Sequence, residues 1–251
     1  MTRVGLFVTC LVDLMRPQVG FAAVKLLEAA GCEVHVPAAQ TCCGQPAWNA
    51  GDDRNAAALA RQVIDTFEGF DYVVAPSGSC AGMLRKHYPD VLKNDPDYAA
   101  RAKALAAKSH ELVSFLVNER GMDQVVARCE ARACYHDSCS ALREMGVKAE
   151  PRMLLASVEE LTLEPLKDPE VCCGFGGLFS VKYPEISERM ADDKIADATG
   201  TNADTLIGPD LGCLLHIAGR LKRQGKAMRV RHVAEVLADM GEDPALGEGK
   251  A

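Results

Sequence analysis

Thr41-Cys42-Cys43-Gly44-Gln45-Pro46-Ala47 and Cys172-Cys173-Gly174-Phe175-Gly176-Gly177 carry the same Cys-Cys-Gly triplet, 130 residues apart in a chain of 251. Each triplet has one cysteine far upstream, Cys10 or Cys139, and one far downstream, Cys80 or Cys213. Flanking landmarks repeat as well. Phe7-Val8-Thr9-Cys10 aligns with His136-Asp137-Ser138-Cys139, and Pro76-Ser77-Gly78-Ser79-Cys80 with Pro209-Asp210-Leu211-Gly212-Cys213. His110 and its following helix align with His232-Val233-Ala234-Glu235-Val236-Leu237. A period this long means a doubled domain, not a short solenoid repeat. The expected modules are residues 1–124 and 130–241, with 242–251 as a frayed Gly- and Glu-containing tail.

Within each module short apolar runs alternate with helical patterns. Strands are expected over 3–9, 33–36, 72–75, 131–136, 161–164 and 205–207. Pro17 opens a helix that Gly31 stops, and Asp52 caps a helix running to Phe67. Further helices are expected over 98–107, 111–119 and 185–199, and from Cys80 and Cys213 onward. Strand–helix alternation implies right-handed crossovers and parallel sheets. The fold class is therefore α/β, as two tandem Rossmann-like modules related by an internal pseudo-repeat.

The composition narrows the function. Hydrophobic residues make up 48% of the chain, enough for a buried core, and the net charge of −7 argues against nucleic acid or an anionic membrane as partner. The basic cluster Arg220, Lys222, Arg223, Lys226, Arg229 and Arg231 reads as a solvated helix end and connector. No apolar stretch approaches the ~20 residues of a bilayer span. Val4 to Val8 is a strand and not a secretion signal, so a cytoplasmic location is expected.

Eleven cysteines in a reducing compartment point away from disulfides and towards soft-metal ligation or redox chemistry. Cys10, Cys80, Cys139 and Cys213 each follow an expected strand, where open α/β sheets collect functional groups. The gaps are 31 and 36 residues in the first module and 32 and 39 in the second, so each four-thiol set depends on the fold and is no local zinc knuckle. Adjacent cysteines have Cα atoms ~3.8 Å apart, which suits a multi-iron cluster better than one compact ion. The glycine after each pair permits positive φ and close backbone approach. The expected ligand sets are Cys10, Cys42, Cys43 and Cys80, and Cys139, Cys172, Cys173 and Cys213. Cys32, Cys129 and Cys134 read as small core hydrophobes. Zinc is the alternative metal, in a module that stabilises an assembly without moving electrons.

Among the remaining features, Gly174-Phe175-Gly176-Gly177 lacks a nucleotide fingerprint and is expected to wrap the centre or shape a turn. His136-Asp137 reads as a hydrogen-bonded strand end, against a role in moving protons or meeting a substrate carboxylate. His110 and His232 read as one fold-level hydrogen bond made twice. Trp48 is a packing or interface residue.

These stretches, with Leu6 to Asp13, resemble the cysteine-rich domain shared by heterodisulfide reductase, glycolate oxidase iron–sulfur subunits and anaerobic glycerol-3-phosphate dehydrogenase. The fullest resemblance, nearly end to end, is to the lactate utilization protein A family. It implies an iron–sulfur redox subunit of a multi-protein system oxidising L-lactate to pyruvate. It also implies [4Fe–4S] ligation by the eight cysteines, a ferredoxin-like iron–sulfur partner and a third subunit. Glycolate, succinate-type or disulfide couples are the alternative substrates. The broader module closes with Cys-x-x-Cys, whereas here Cys80 is followed by Met83 and Cys213 by His216 at that spacing. The fifth thiol is absent from both, and Met83 and His216 stand as weak extra ligands or packed helix residues.

Overall fold

The computed structural model describes residues 1–248. Eight strands form two sheets: β1 Thr2–Leu6, β2 Cys32–His35, β3 Tyr72–Ala75 and β4 Ser109–Glu111, then β5 Arg128–Tyr135, β6 Glu159–Leu163, β7 Thr205–Gly208 and β8 Arg229–His232. The sheet orders are β2-β1-β3-β4 and β6-β5-β7-β8, and every pairing is parallel. Central strands are buried on both faces, as Val4, Leu6, Val73 and Val74 show, because helices cover each sheet. This order reverses direction between β1 and β3, and between β5 and β7. Loops leaving those strand ends diverge and leave a crevice.

The helices begin where local chemistry allows. Pro17 opens Pro17–Ala29, and Gly31 beyond it has φ +77. The Asp52 side chain accepts from the Asn55 amide at the head of Asp53–Phe67. In each module a short helix starts at the first cysteine, Cys10–Met15 and Cys139–Arg143. Thr9 and Ser138 cap them, accepting from the amides of Val12 and Ala141.

The modules pack face to face about a pseudo-twofold axis. The Cys139–Arg143 helix meets Gly78–Gly82, and its counterpart Cys10–Met15 meets Leu211–Arg223. Contact at the first pair is so close that a Cβ on Gly78 would stand 2.5 Å from the Ala141 Cβ. Pro17–Ala29 packs on Val233–Leu237, and Ala149–Leu155 on Leu112–Ser114. Buried Glu235 bonds Arg16 of the other module at 2.8 Å, and Lys25 donates to the Ala238 carbonyl at 2.6 Å.

Several expectations change. β4 and β8 were not visible as strands, because Ser-His-Glu and Arg-Val-Arg-His lack an apolar run. His110 is not the counterpart of His232. β3 pairs Ala75 with Glu111 and β7 pairs Gly208 with His232, so Glu111 takes that place. Both cap the next helix: Glu111 accepts from the Ser114 amide, and His232 Nδ1 from that of Ala234. His110 instead packs edge-on against Tyr72 and Phe115. Residues 242–248 are not frayed throughout. Ala245 and Leu246 are buried, and the Leu246 amide donates to the Val230 carbonyl, while 249–251 lie outside the described residues. The basic cluster is largely engaged: Arg220 bonds Asp192 and Glu188, Arg229 bonds Asp204, and Arg231 donates to the Asp243 carbonyl. Among the described residues no helix is long and apolar enough to cross a membrane.

Glu111 is fully buried, and burial raises its carboxyl from 4.5 to about 7. Its folded form therefore prefers the proton more than the unfolded chain does. The stabilising contribution is complete below pH 4.5 and lost as pH rises through about 7. Above pH 7 the ionised carboxylate costs on the order of 3 kcal/mol. Glu111→Gln keeps an oxygen to cap Ser114. It is expected to melt higher than wild type at pH 8, with the gap closing by pH 5, as read by thermal unfolding at both values. A gap independent of pH would show that Glu111 does not titrate in this range.

Candidate metal centre

Cys10, Cys80, Cys139 and Cys213 lie four or five residues beyond the ends of β1, β3, β5 and β7, at the two crevices. In the first module the Cys10 and Cys43 thiols both lie beside the Cys42 sulfur, and Cys43 also neighbours Cys80. The second repeats this arrangement with Cys139 and Cys173 on Cys172, and Cys173 on Cys213. The structure thus brings all eight sequence-predicted cysteines together as two four-thiol groups.

Negative charge concentrates at equivalent sulfurs. Hydrogen bonds from Cys10 and Cys43 hold the Cys42 thiol far below the usual range, and the Gly44 amide adds a contact at 3.5 Å. Cys139 and Cys173 act likewise on Cys172, with the Gly174 amide at 3.4 Å. Their partners Cys10 and Cys139 are raised, mainly by those hydrogen bonds and then by burial. Thiolate character focused in this way suits a soft cation.

The loop glycines hold the amides in place. Gly44 has φ +85 and Gly174 φ +82, so both triplets need the left-handed backbone. Their surroundings differ. A Cβ on Gly44 would meet Leu59 Cβ at 3.4 Å, whereas on Gly174 it would meet the Ser187 carbonyl oxygen at 2.5 Å and Met190 Cβ at 2.9 Å. Gly44→Ala is expected to cost ~1–2 kcal/mol from backbone strain alone. Gly174→Ala should cost ~1–3 kcal/mol more through overpacking. Calorimetric melting of both variants reads the difference, and equal losses would show that the second loop yields freely.

Both groups open on one cavity of about 440 Å³ between the modules, lined by Cys10, Cys42, Cys43, Cys80, Cys139 and Cys213. Phe175, Gly176 and Gly177 line the same cavity. A second cleft of about 300 Å³ reaches Cys10 and Cys42, between Leu14, Val36 and Gln40.

Asp210 ties the cavity wall together. Ser77 Oγ, Ser79 Oγ and the Ser79 amide donate to its Oδ1 at 2.5, 2.9 and 3.1 Å, and Ser138 Oγ donates to Oδ2. Ser77 and Asp210 occupy equivalent repeat positions, both heading the helix that carries a cysteine. Ser77 caps its own helix through the Cys80 amide, while the Asp210 side chain caps nothing and reaches across the axis. That role was hidden in the sequence; the unlike pair at one repeat position was its only trace.

The remaining candidates are placed as follows. Met83 is fully buried in the core of the first module. His216 Nε2 lies 3.1 Å from Ser187 Oγ, which donates to the Gly174 carbonyl. Neither side chain lines the cavity. Cys32, Cys129 and Cys134 are buried among apolar neighbours. Trp48 packs against His87 with ring centroids 6.0 Å apart. Asp137 is clamped by both Arg152 guanidinium nitrogens at 2.8 and 2.6 Å. The expected hydrogen bond of the His136 ring does not form; its two nitrogens are buried without a partner among the described residues.

The donor set fits a cysteine-ligated centre: thiols converge, charge focuses on one sulfur per group, and a buried imidazole stands unpaired beside the second. Comparison with known proteins agrees with this doubled layout. The cysteine-rich domain family with the Cys-Cys-Gly signature matches twice, at residues 4–85 and 133–218. Lactate utilization protein A from Geobacillus sp. (strain WCH70) is 53% identical over 235 residues, covering 94% of this chain and 98% of its own. Proteins of the same description from Anoxybacillus flavithermus and Bacillus subtilis (strain 168) are 51% and 48% identical over the same shares. With identity near half along almost the whole length, and the cysteine-rich domain present in both halves, the chain belongs to the lactate utilization protein A family.

Proposed function

We propose that this chain is the iron–sulfur redox subunit of a system that oxidises L-lactate to pyruvate. Cys10, Cys42, Cys43 and Cys80 would hold one centre, and Cys139, Cys172, Cys173 and Cys213 the other. The observation that carries the reading is the gathering of two four-thiol groups, six of whose cysteines line a single cavity between the modules. Bound iron–sulfur centres supply one-electron acceptance and release. The chain's own part is to present soft anionic sulfur and aim the Gly44 and Gly174 amides at it. Lactate oxidation is a two-electron reaction, and two centres beside one cavity match that count. A ferredoxin-like iron–sulfur protein and a third lactate-utilization subunit complete the proposed system.

Iron and acid-labile sulfide analysis of anaerobically purified protein tests this. Iron with matching sulfide and a visible charge-transfer absorption is the expected result. Zinc without sulfide after anaerobic reconstitution would instead identify an assembly module. Deleting the gene is expected to abolish growth on lactate; glycolate-specific or succinate-specific loss would move the substrate.

A further inference from the structure

Phe7 and His136 occupy the same place in the two modules. Each follows the first strand of its sheet, and each donates its amide to the central partner strand at 2.8 Å, Phe7 to Val74 and His136 to Ile207. Both side chains are completely buried. Phe7 satisfies its site by packing on Phe67, with ring centroids 5.6 Å apart. His136 sits in an equally closed place, yet neither Nδ1 nor Nε2 has a hydrogen-bond partner among the described residues. An imidazole left so gives up its hydrogen bonds to water without replacement. Ligand atoms of His136, Cys173 and Cys213 all lie within 4.8 Å of one another, and all three residues are buried. That spacing puts the imidazole within reach of a centre held by the two thiols. The first module offers no such nitrogen.

We propose that His136 is a metal ligand of the second centre, beside Cys173 and Cys213, so that the two centres are chemically unequal. This rests on the two-centre reading above. Both ring nitrogens stand buried without a partner among the described residues, so one can offer its lone pair to a metal. His216, the histidine nearer in sequence to the missing fifth thiol, is engaged with Ser187. Ligand identity tunes the potential of an iron–sulfur centre, so an imidazole at the second centre alone gives the two centres different potentials. An electron pair then finds two unequal holding places.

The test uses the full chain purified anaerobically, with histidine labelled by ¹⁵N. Pulsed electron paramagnetic resonance should show a strong nitrogen coupling that changes with the label. His136→Phe borrows the residue that fills the same place in the first module. It should abolish the coupling, leave the first centre's signal intact, and weaken metal retention by ~10–100-fold in chelator competition. His136→Asn, checked for native circular dichroism, serves if the phenylalanine variant fails to fold. Two intact centres with no histidine coupling and unchanged chelator release would overturn the ligand assignment while leaving the redox reading standing. Protein without iron or sulfide would overturn that prior reading. If zinc is bound, chelator release in His136→Phe decides the ligand by itself.

Discussion

Cys43→Ser is expected to remove about half of the bound iron and labile sulfide and to lower lactate-dependent electron transfer by at least ~10–100-fold. Cys43 is the central thiol of its group, buried between Cys42 and Cys80. Serine there presents a harder oxygen on a shorter bond, and oxygen is a poor match for iron in a sulfur cage. It also removes one of the two thiol contacts that lower Cys42. Cys173→Ser should give the mirror result, emptying the second group and sparing the first. Cys134→Ser is the control. That thiol is fully buried in the core, so the hydroxyl should cost ~1–3 kcal/mol of stability without changing metal content. Full iron and sulfide in both Cys43→Ser and Cys173→Ser would remove these cysteines from the ligand sets.

Asp210→Ala should lower the melting temperature more than any other cavity-wall substitution. The carboxylate is buried and accepts four hydrogen bonds, all from Ser77, Ser79 and Ser138. Ser77 and Ser79 belong to the opposite module. Breaking a buried charged network of this kind costs ~3–5 kcal/mol. At roughly 2–4 °C per kcal/mol for a chain of this size, the shift is about 6–20 °C. Asp210→Asn retains one acceptor oxygen and should lose less. Ser77→Ala should fall between wild type and Asp210→Ala, since it also loses the cap on Cys80. A loss under about 2 °C for Asp210→Ala would mean that the serine hydroxyls find other partners without cost.

Much of this was legible before the structure. Val4 to Leu6, Tyr72 to Ala75 and Thr205 to Ile207 are runs too short for helices and too apolar for loops, and they are strands. The repeat landmarks lie at matching strand ends, so Cys10, Cys80, Cys139 and Cys213 were placed by register. β4 and β8 escaped because their three or four residues take order from neighbouring strands and not from their own pattern. The equivalence of Glu111 with His232 escaped because chemically unlike residues do the same capping. Asp210 and His136 stood inside recognised motifs, yet their roles depend on what faces them across an axis or fails to face them in a core. No spacing along the chain encodes that.

The pseudo-twofold packing also bears on ancestry. A single module pairing with its own copy through these faces would form a closed dimer. Every residue would then appear in both halves, and any change to one centre would be imposed on the other. Fusing the copies into one chain lifts that constraint. Phenylalanine at position 7 with histidine at 136, and serine at 77 with aspartate at 210, are differences that no homodimer can carry. A doubled chain can thus give its two halves different parts.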